Sequence, residues 1–272
     1  GMGKEVQQFE RDLGRYFDSH AVCVVNGTAA LHLSLEAIGI GVGDEVLVQS
    51  LTYLASFQAI SASGAKPVAC DIRSDNLTID LKDAERRLTE HTKAIMPVHY
   101  AGGVGDLDQI YEFASKYGLR VIEDAAHSLG SSFKGRRVGS FGDIVCFSFD
   151  GIKNITSGEG GCIVTKDKNV LRYVSDARLL GVQGDSERRY ANKRSWDFDV
   201  INQGWRYHMS EIMAAIGRAQ LSRCEQLFQT RQSLAECYCR ILRSNSRVIP
   251  ILNTFDEVVP HIFPVRIPGM SL

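Results

Sequence analysis

The stretch that decides the fold is Phe147-Ser148-Phe149-Asp150-Gly151-Ile152-Lys153-Asn154-Ile155-Thr156-Ser157-Gly158-Glu159-Gly160-Gly161. An apolar strand over 144–149 runs into a turn that presents Lys153, and a glycine-rich stretch leads into a second strand over 161–165. Upstream, Val121-Ile122-Glu123-Asp124-Ala125-Ala126-His127 ends another buried strand in a carboxylate and an imidazole. Further out, helix and strand patterns alternate. Leu31, Leu35 and Ile38 give helical spacing over 29–38, followed by strands at 46–49 and 67–72 with a helix over 56–62 between them. A helix over 80–88, a strand over 94–98, the helical stripe Leu107, Ile110, Phe113, Ala114 and Tyr117, and a strand over 120–123 complete the series. This alternation predicts an α/β fold, a mainly parallel sheet covered by helices on both faces.

Beyond the glycine-rich stretch, 169–180 reads as a helix and 183–196 as a polar, basic loop. The region 210–221 is strongly helical, 223–242 continues as a long helix, and 248–266 opens a further strand-containing segment. Gly39-Ile40-Gly41-Val42-Gly43 is no dinucleotide fingerprint, because it neither follows a strand nor opens a helix, and Gly158 to Gly161 reads as a tight backbone turn. The chain has 272 residues and is 44% hydrophobic, enough for one large core. A formal charge of -1 gives no electrostatic reason to expect nucleic acid or an anionic membrane as partner. No apolar run approaches the ~20 residues that span a bilayer, and no signal-peptide pattern is present. Gly1 ahead of Met2 reads as an expression remnant. The seven cysteines are odd in number and scattered, with no Cys-x-x-Cys pair. Reduced thiols in a cytoplasmic protein are the favoured reading over a disulfide framework, and no metal site is expected.

A strand-end Asp followed by a turn-borne lysine fits pyridoxal phosphate chemistry. The lysine forms a Schiff base with the aldehyde, and the Asp keeps the pyridine nitrogen protonated. At these residues the sequence resembles the DegT/DnrJ/EryC1/StrS family of pyridoxal phosphate-dependent nucleotide-sugar aminotransferases. The resemblance runs over about residues 3–231 and rests on many motifs in order. They include Asn26-Gly27-Thr28-Ala29-Ala30-Leu31, Gly43-Asp44-Glu45-Val46, Leu51-Thr52-Tyr53, Lys93-Ala94-Ile95-Met96-Pro97-Val98-His99, Ile122-Glu123-Asp124-Ala125-Ala126-His127, Lys134-Gly135-Arg136, Lys153-Asn154 and Met209-Ser210-Glu211.

The resemblance implies a fold-type I, three-layer α/β/α large domain with a seven-stranded mixed sheet over 1–222. A linking helix and the start of a small C-terminal α/β domain would follow over 223–272. Lys153 is the expected catalytic residue; a lone loop lysine would otherwise be solvated. Asp124 would pair with the pyridine nitrogen, its bland alternative being a helix cap. His127 would sit beside the ring and its phenolic oxygen, or be a structural histidine. Thr28 and Ala29, at a helix start, would bind the cofactor phosphate, with Ser148 as a further phosphate contact. Tyr53 would stack on the pyridine face, or pack as a core tyrosine. His99 lines the pocket or merely packs. Trp205-Arg206-Tyr207-His208-Met209 matches a segment that reaches a neighbouring subunit's site, so Arg206 and Tyr207 are candidates there. The pairs Arg188-Arg189 and Lys193-Arg194 either attract a diphosphate or form a solvated loop.

The implied function is transfer of an amino group from an amino acid, glutamate, to a nucleotide-diphosphate-linked keto-sugar, by way of pyridoxamine phosphate. The product would feed lipopolysaccharide, another surface polysaccharide or an antibiotic sugar. A homodimer is implied, since family sites are completed across a two-fold interface. Sugar dehydratases of the same family replace the lysine with histidine, which Lys153 opposes. The family pattern begins almost at Gly3, and only the start of the small domain is expected here. A cofactor-binding scaffold or an inactive truncated member is therefore the non-catalytic alternative. A nicotinamide enzyme lacks its glycine fingerprint. Nucleotide, sugar and aminated carbon are not legible.

Overall fold

The computed structural model describes residues 2–191, 193, 197–251 and 254–269. The chain runs α1 (Lys4–Phe17), β1 (His20–Val24), α2 (Gly27–Ala37), β2 (Glu45–Gln49), α3 (Leu54–Ala62), β3 (Lys66–Cys70), α4 (Leu81–Arg86), β4 (Thr92–Met96), α5 (Leu107–Tyr117) and β5 (Arg120–Asp124). A small hairpin, β6 (Ser132–Phe133) and β7 (Arg136–Arg137), precedes β8 (Ile144–Ser148), β9 (Gly161–Thr165), α6 (Lys168–Ala177), α7 (Asp185–Tyr190), α8 (Glu211–Leu221) and α9 (Cys224–Leu242). Two short strands follow, β10 (Ile249–Pro250) and β11 (Val265–Arg266).

The expected seven-stranded mixed sheet is present, in the order β1-β9-β8-β5-β4-β2-β3. Strand β9 runs antiparallel to both its neighbours, while the pairings from β8 through β5, β4 and β2 to β3 are parallel. Every residue of β2, β8 and β9 is buried. These strands therefore read as continuous apolar runs, because helices cover both faces. One face packs Val46, Val48, Met96 and Ile144 under α2 and α6. On the other, Phe9, Leu13 and Phe17 of α1 meet Phe147 and Phe149. Phe17 stacks on Phe147 at 4.7 Å, and Phe9 lies 5.3 Å from Phe149.

Neither α1 nor β1 was predicted. The spacing of Val6, Phe9, Leu13 and Phe17 makes α1 amphipathic. Its unpaired N-terminal amides are satisfied from far along the chain. Glu211 accepts from the N–H groups of Gly3 (2.8 Å), Val6 (3.1 Å) and Glu5 (3.2 Å). Ser210 meanwhile caps α8 through the Met213 N–H at 3.3 Å. The motif Met209-Ser210-Glu211 thus joins two helices.

The loop expected over 183–196 holds a helix, α7. Arg178 is buried to 1% exposure and donates to Ser186 Oγ (3.2 Å) and Tyr190 Oη (3.0 Å), which anchors this segment. Arg189 pairs with Asp185 one turn back at 2.6 Å, and Arg188 donates to the Gln183 carbonyl. These two basic residues are engaged locally. Arg194 and Trp196 lie outside the described residues. Among the described residues no helix is long and apolar enough to cross a membrane.

Candidate active site

The parallel strands point their carboxyl ends at one pocket of about 550 Å³. In an open α/β sheet this is where side chains from several strands converge. Asn26 follows β1, Thr52 and Tyr53 follow β2, Val98 follows β4, Asp124 ends β5 and Ser148 ends β8; all line the pocket. Lys153, on the turn after β8, lines it too.

Asp124 is 6% exposed and oriented by two donors. Ser56 Oγ donates to Oδ2 at 2.7 Å, and the Ala126 N–H donates to Oδ1 at 3.2 Å. Ser56 in turn exchanges a 2.7 Å hydrogen bond with Thr52. Burial pushes the Lys153 amine below its ordinary pKa, against the opposing pull of Asp124 and Asp150. His127 is held down to about 3, by burial first and then by the charges of Lys153 and His261. His261 is held down to about 4, again by burial first, then by Lys153 and Arg231. Both imidazoles are therefore neutral at physiological pH. Their rings lie 4.3 Å apart and form one wall. Burial, then the charge of neighbouring Asp150, raises the Glu159 carboxyl above its ordinary pKa.

The floor is built at van der Waals limits. A Cβ on Gly27 would lie 2.9 Å from Ser148 Cβ, and one on Gly161 only 2.5 Å from the carbonyl carbon and oxygen of Asn26. Strand β9 can approach the start of α2 only because Gly161 has no side chain, and the first turn of α2 sits against Ser148 for the same reason at Gly27. Backbone N–H groups, the Thr28 hydroxyl and Ser148 thus gather at a helix N-terminus, the setting that favours an anion.

The structure brings Thr28, Tyr53, Asp124, His127, Ser148 and Lys153 to this one pocket. Tyr53 stands at its mouth, 73% exposed, so it is no core tyrosine. Four other candidates do not line the pocket. Ala29 is buried behind the rim, and its N–H is already taken by the capping Asn26 Oδ1 at 2.8 Å. His99 does not line the pocket: it is 1% exposed and bonded through Nε2 to Glu123 Oε2 at 2.7 Å. Arg206 is exposed, and Tyr207 stacks on Trp205 at 5.6 Å; neither lines this pocket. Sequence reading missed Ser56 and His261. Nothing local marks Ser56. A histidine inside the apolar run Val258-Val259-Pro260-His261-Ile262-Phe263 was a usable signal.

This donor set fits pyridoxal phosphate. A buried, oriented carboxylate suits a pyridinium, a lysine shifted toward its neutral form suits an aldehyde, and the α2 cradle suits a phosphate. Fold and site together define a pyridoxal phosphate-dependent enzyme. Comparison with known proteins agrees: the model of the DegT/DnrJ/EryC1/StrS aminotransferase family matches residues 1–271. The chain belongs to this pyridoxal phosphate-dependent family. It is 37% identical over 268 residues to uncharacterized protein MJ1066 of Methanocaldococcus jannaschii, covering 98% of this chain and 69% of that one. Among solved structures, the putative sugar aminotransferase Spr1654 from Streptococcus pneumoniae, in its PMP form, is 32% identical with a TM-score of 0.90. That match covers 100% of this chain and 72% of the other. DesV of S. venezuelae is 33% identical with a TM-score of 0.89, covering 98% and 70% of the two chains.

Proposed function

We propose that this chain is a pyridoxal phosphate-dependent sugar aminotransferase, taking the amino group of glutamate and delivering it to a keto-sugar carried on a nucleoside diphosphate. The observation that carries the reading is the meeting of Lys153 and oriented Asp124 in one pocket with an anion cradle at the start of α2. The likeness to the putative sugar aminotransferase Spr1654 supports the sugar part. The nucleotide linkage and the donor come from the family resemblance.

When bound, pyridoxal phosphate supplies an aldehyde for amine exchange and an electron sink for the carbon that loses its proton. Thr28, Ser148 and the free N–H groups at the start of α2 would hold the phosphate, while Asn26 keeps that turn in place by taking the Ala29 amide. Asp124 would hold the proton on the ring nitrogen; Ser56 and the Ala126 amide fix the direction of its oxygens. Tyr53 would stack on the pyridine ring, and His127 would sit beside the ring and its phenolic oxygen. Lys153 would take and return the proton of the reacting carbon, a task that needs the neutral amine favoured by its burial. Arg206 and Tyr207 would act in the site of a second copy, so this reading includes a homodimer. Lys153, where the family's dehydratases carry histidine, favours transfer over dehydration.

The test is an absorbance spectrum of the purified protein with pyridoxal phosphate, before and after glutamate, beside Lys153→Ala. A yellow band that glutamate bleaches, and that the variant lacks, is expected. A band that no amino acid alters would sink the transfer reading.

A further inference from the structure

Lys153 sits on a turn, and a lysine on a flexible stem is only as well placed as the main chain that carries it. That main chain is joined to a distant segment. Asn154, 4% exposed, donates from Nδ2 to the carbonyls of Leu129 (2.9 Å) and Val259 (3.3 Å). From α9, Arg231 donates through Nη1 to the carbonyls of Pro260 (3.4 Å) and His261 (3.2 Å), and through Nη2 to the carbonyl of Lys153 itself (3.4 Å).

The guanidinium is partly buried, and its hydrogen-bond partners among the described residues are main-chain carbonyls rather than a carboxylate. Burial lowers its pKa, so the site is one where a charge is costly. A costly cation without a counter-ion calls for a reason, and its geometry supplies one. A planar fork can serve two strands of chain at once, whereas an ammonium is a point donor.

The segment it grips is pinned at several points. The Val259 N–H donates to Ser131 Oγ (2.9 Å), and the His261 N–H to the Ala101 carbonyl (2.9 Å). A Cβ on Gly102 would lie 2.3 Å from the Val259 oxygen, so only glycine lets the strap settle there. Held this way, His261 lies over His127 and closes the wall beside Lys153.

We propose that Arg231 is a positioning residue: its guanidinium clasps the main chain of Lys153 to the strap at Pro260 and His261, fixing the lysine against the imidazole wall. The proposal rests on the reading of Lys153 as the cofactor lysine, and it assigns α9 and the C-terminal strap a part in the site although neither holds the lysine or Asp124.

Amide hydrogen exchange on the protein without cofactor tests it, comparing wild type, Arg231→Met and Arg231→Lys. Removing the charge-assisted bonds should speed exchange at Val259 and His261 by about tenfold, with Ile122 and Cys146 in the sheet unchanged. The lysine variant should fall between, because it restores charge without the fork. Pyridoxal phosphate titrations of the same proteins should rank them in the same order. Wild-type protection at Val259 and His261 in Arg231→Met overturns the clasp. Equal acceleration at Ile122 and Cys146 also overturns it, since Arg231 would then only stabilise the fold. If Arg231→Met does not fold, Arg231→Lys decides by the same comparison. A wild-type protein that forms no cofactor band would remove the reading of Lys153, while the exchange data would still judge the clasp itself.

Discussion

Gly161 offers the sharpest test of how the anion cradle is made. In β9 it pairs with Val24 on one side and Ser148 on the other, directly beneath the first turn of α2. In Gly161→Ala the added methyl would meet the Asn26 carbonyl carbon and oxygen at 2.5 Å and the Gly27 nitrogen at 2.8 Å. Carbon contacts settle near 3.5 Å, so about 1 Å must be found. All three atoms are backbone, and no rotamer change can supply the space. Either β9 leaves its register or the start of α2 lifts away from Ser148. Overpacking of this kind costs about 1–3 kcal/mol, which for a chain of this size lowers Tm by several degrees, roughly 2–4 per kcal/mol. Displacing the helix start also misaims the groups gathered for a phosphate, so pyridoxal phosphate affinity should fall by about tenfold or more. Gly158→Ala is the control. Its φ of +83° makes alanine strained, yet nothing lies within 4 Å, so it should cost about 1 kcal/mol and leave affinity within about twofold. Thermal unfolding and absorbance titration of both variants would decide. Wild-type Tm and affinity in Gly161→Ala, or equal affinity losses in the two variants, would refute the steric argument.

Two further outcomes follow from buried charge. Glu10→Gln removes the carboxylate partner of Arg178, a guanidinium at 1% exposure, and should cost about 3–5 kcal/mol, a fall of about 10 °C in Tm; a loss under about 1 kcal/mol would show the pair to be dispensable. His127 and His261, held down to about 3 and 4 from 6.5, stay neutral in the folded protein while the unfolded chain takes up protons below pH 6.5. Their contribution is therefore complete above that pH and is lost as pH falls toward 4 and then 3, by about 1.4 kcal/mol per pH unit for each histidine. Urea unfolding across pH 4–7 should show a shallower slope in His127→Asn, and parallel profiles would contradict the assignment.

Strand-and-turn chemistry made the large sheet legible, because buried parallel strands are apolar runs ending in punctuation. Asp124, Ser148 and Lys153 each stand at or just beyond such an end, so local pattern was enough to single them out. Helix α1 escaped because its apolar stripe is short and diluted by charge, and its cap, Glu211, lies 208 residues from Gly3. Helix α7 escaped because a polar, basic segment reads as solvent-exposed until Arg178 is seen to bury itself against Ser186 and Tyr190.

The sequence by itself determined the layer order, the family and the residues whose chemistry is written into one local motif. The tertiary structure alone decided which candidates share a pocket. It withdrew His99 into a bond with Glu123, spent the Ala29 amide on Asn26, and brought Ser56 and His261 in from elements far along the chain. For His99, Ala29 and Ser56 the physical reason is the same. A hydrogen-bond donor or acceptor is assigned by what approaches it in space, and buried polar groups take the nearest partner whatever its place in sequence.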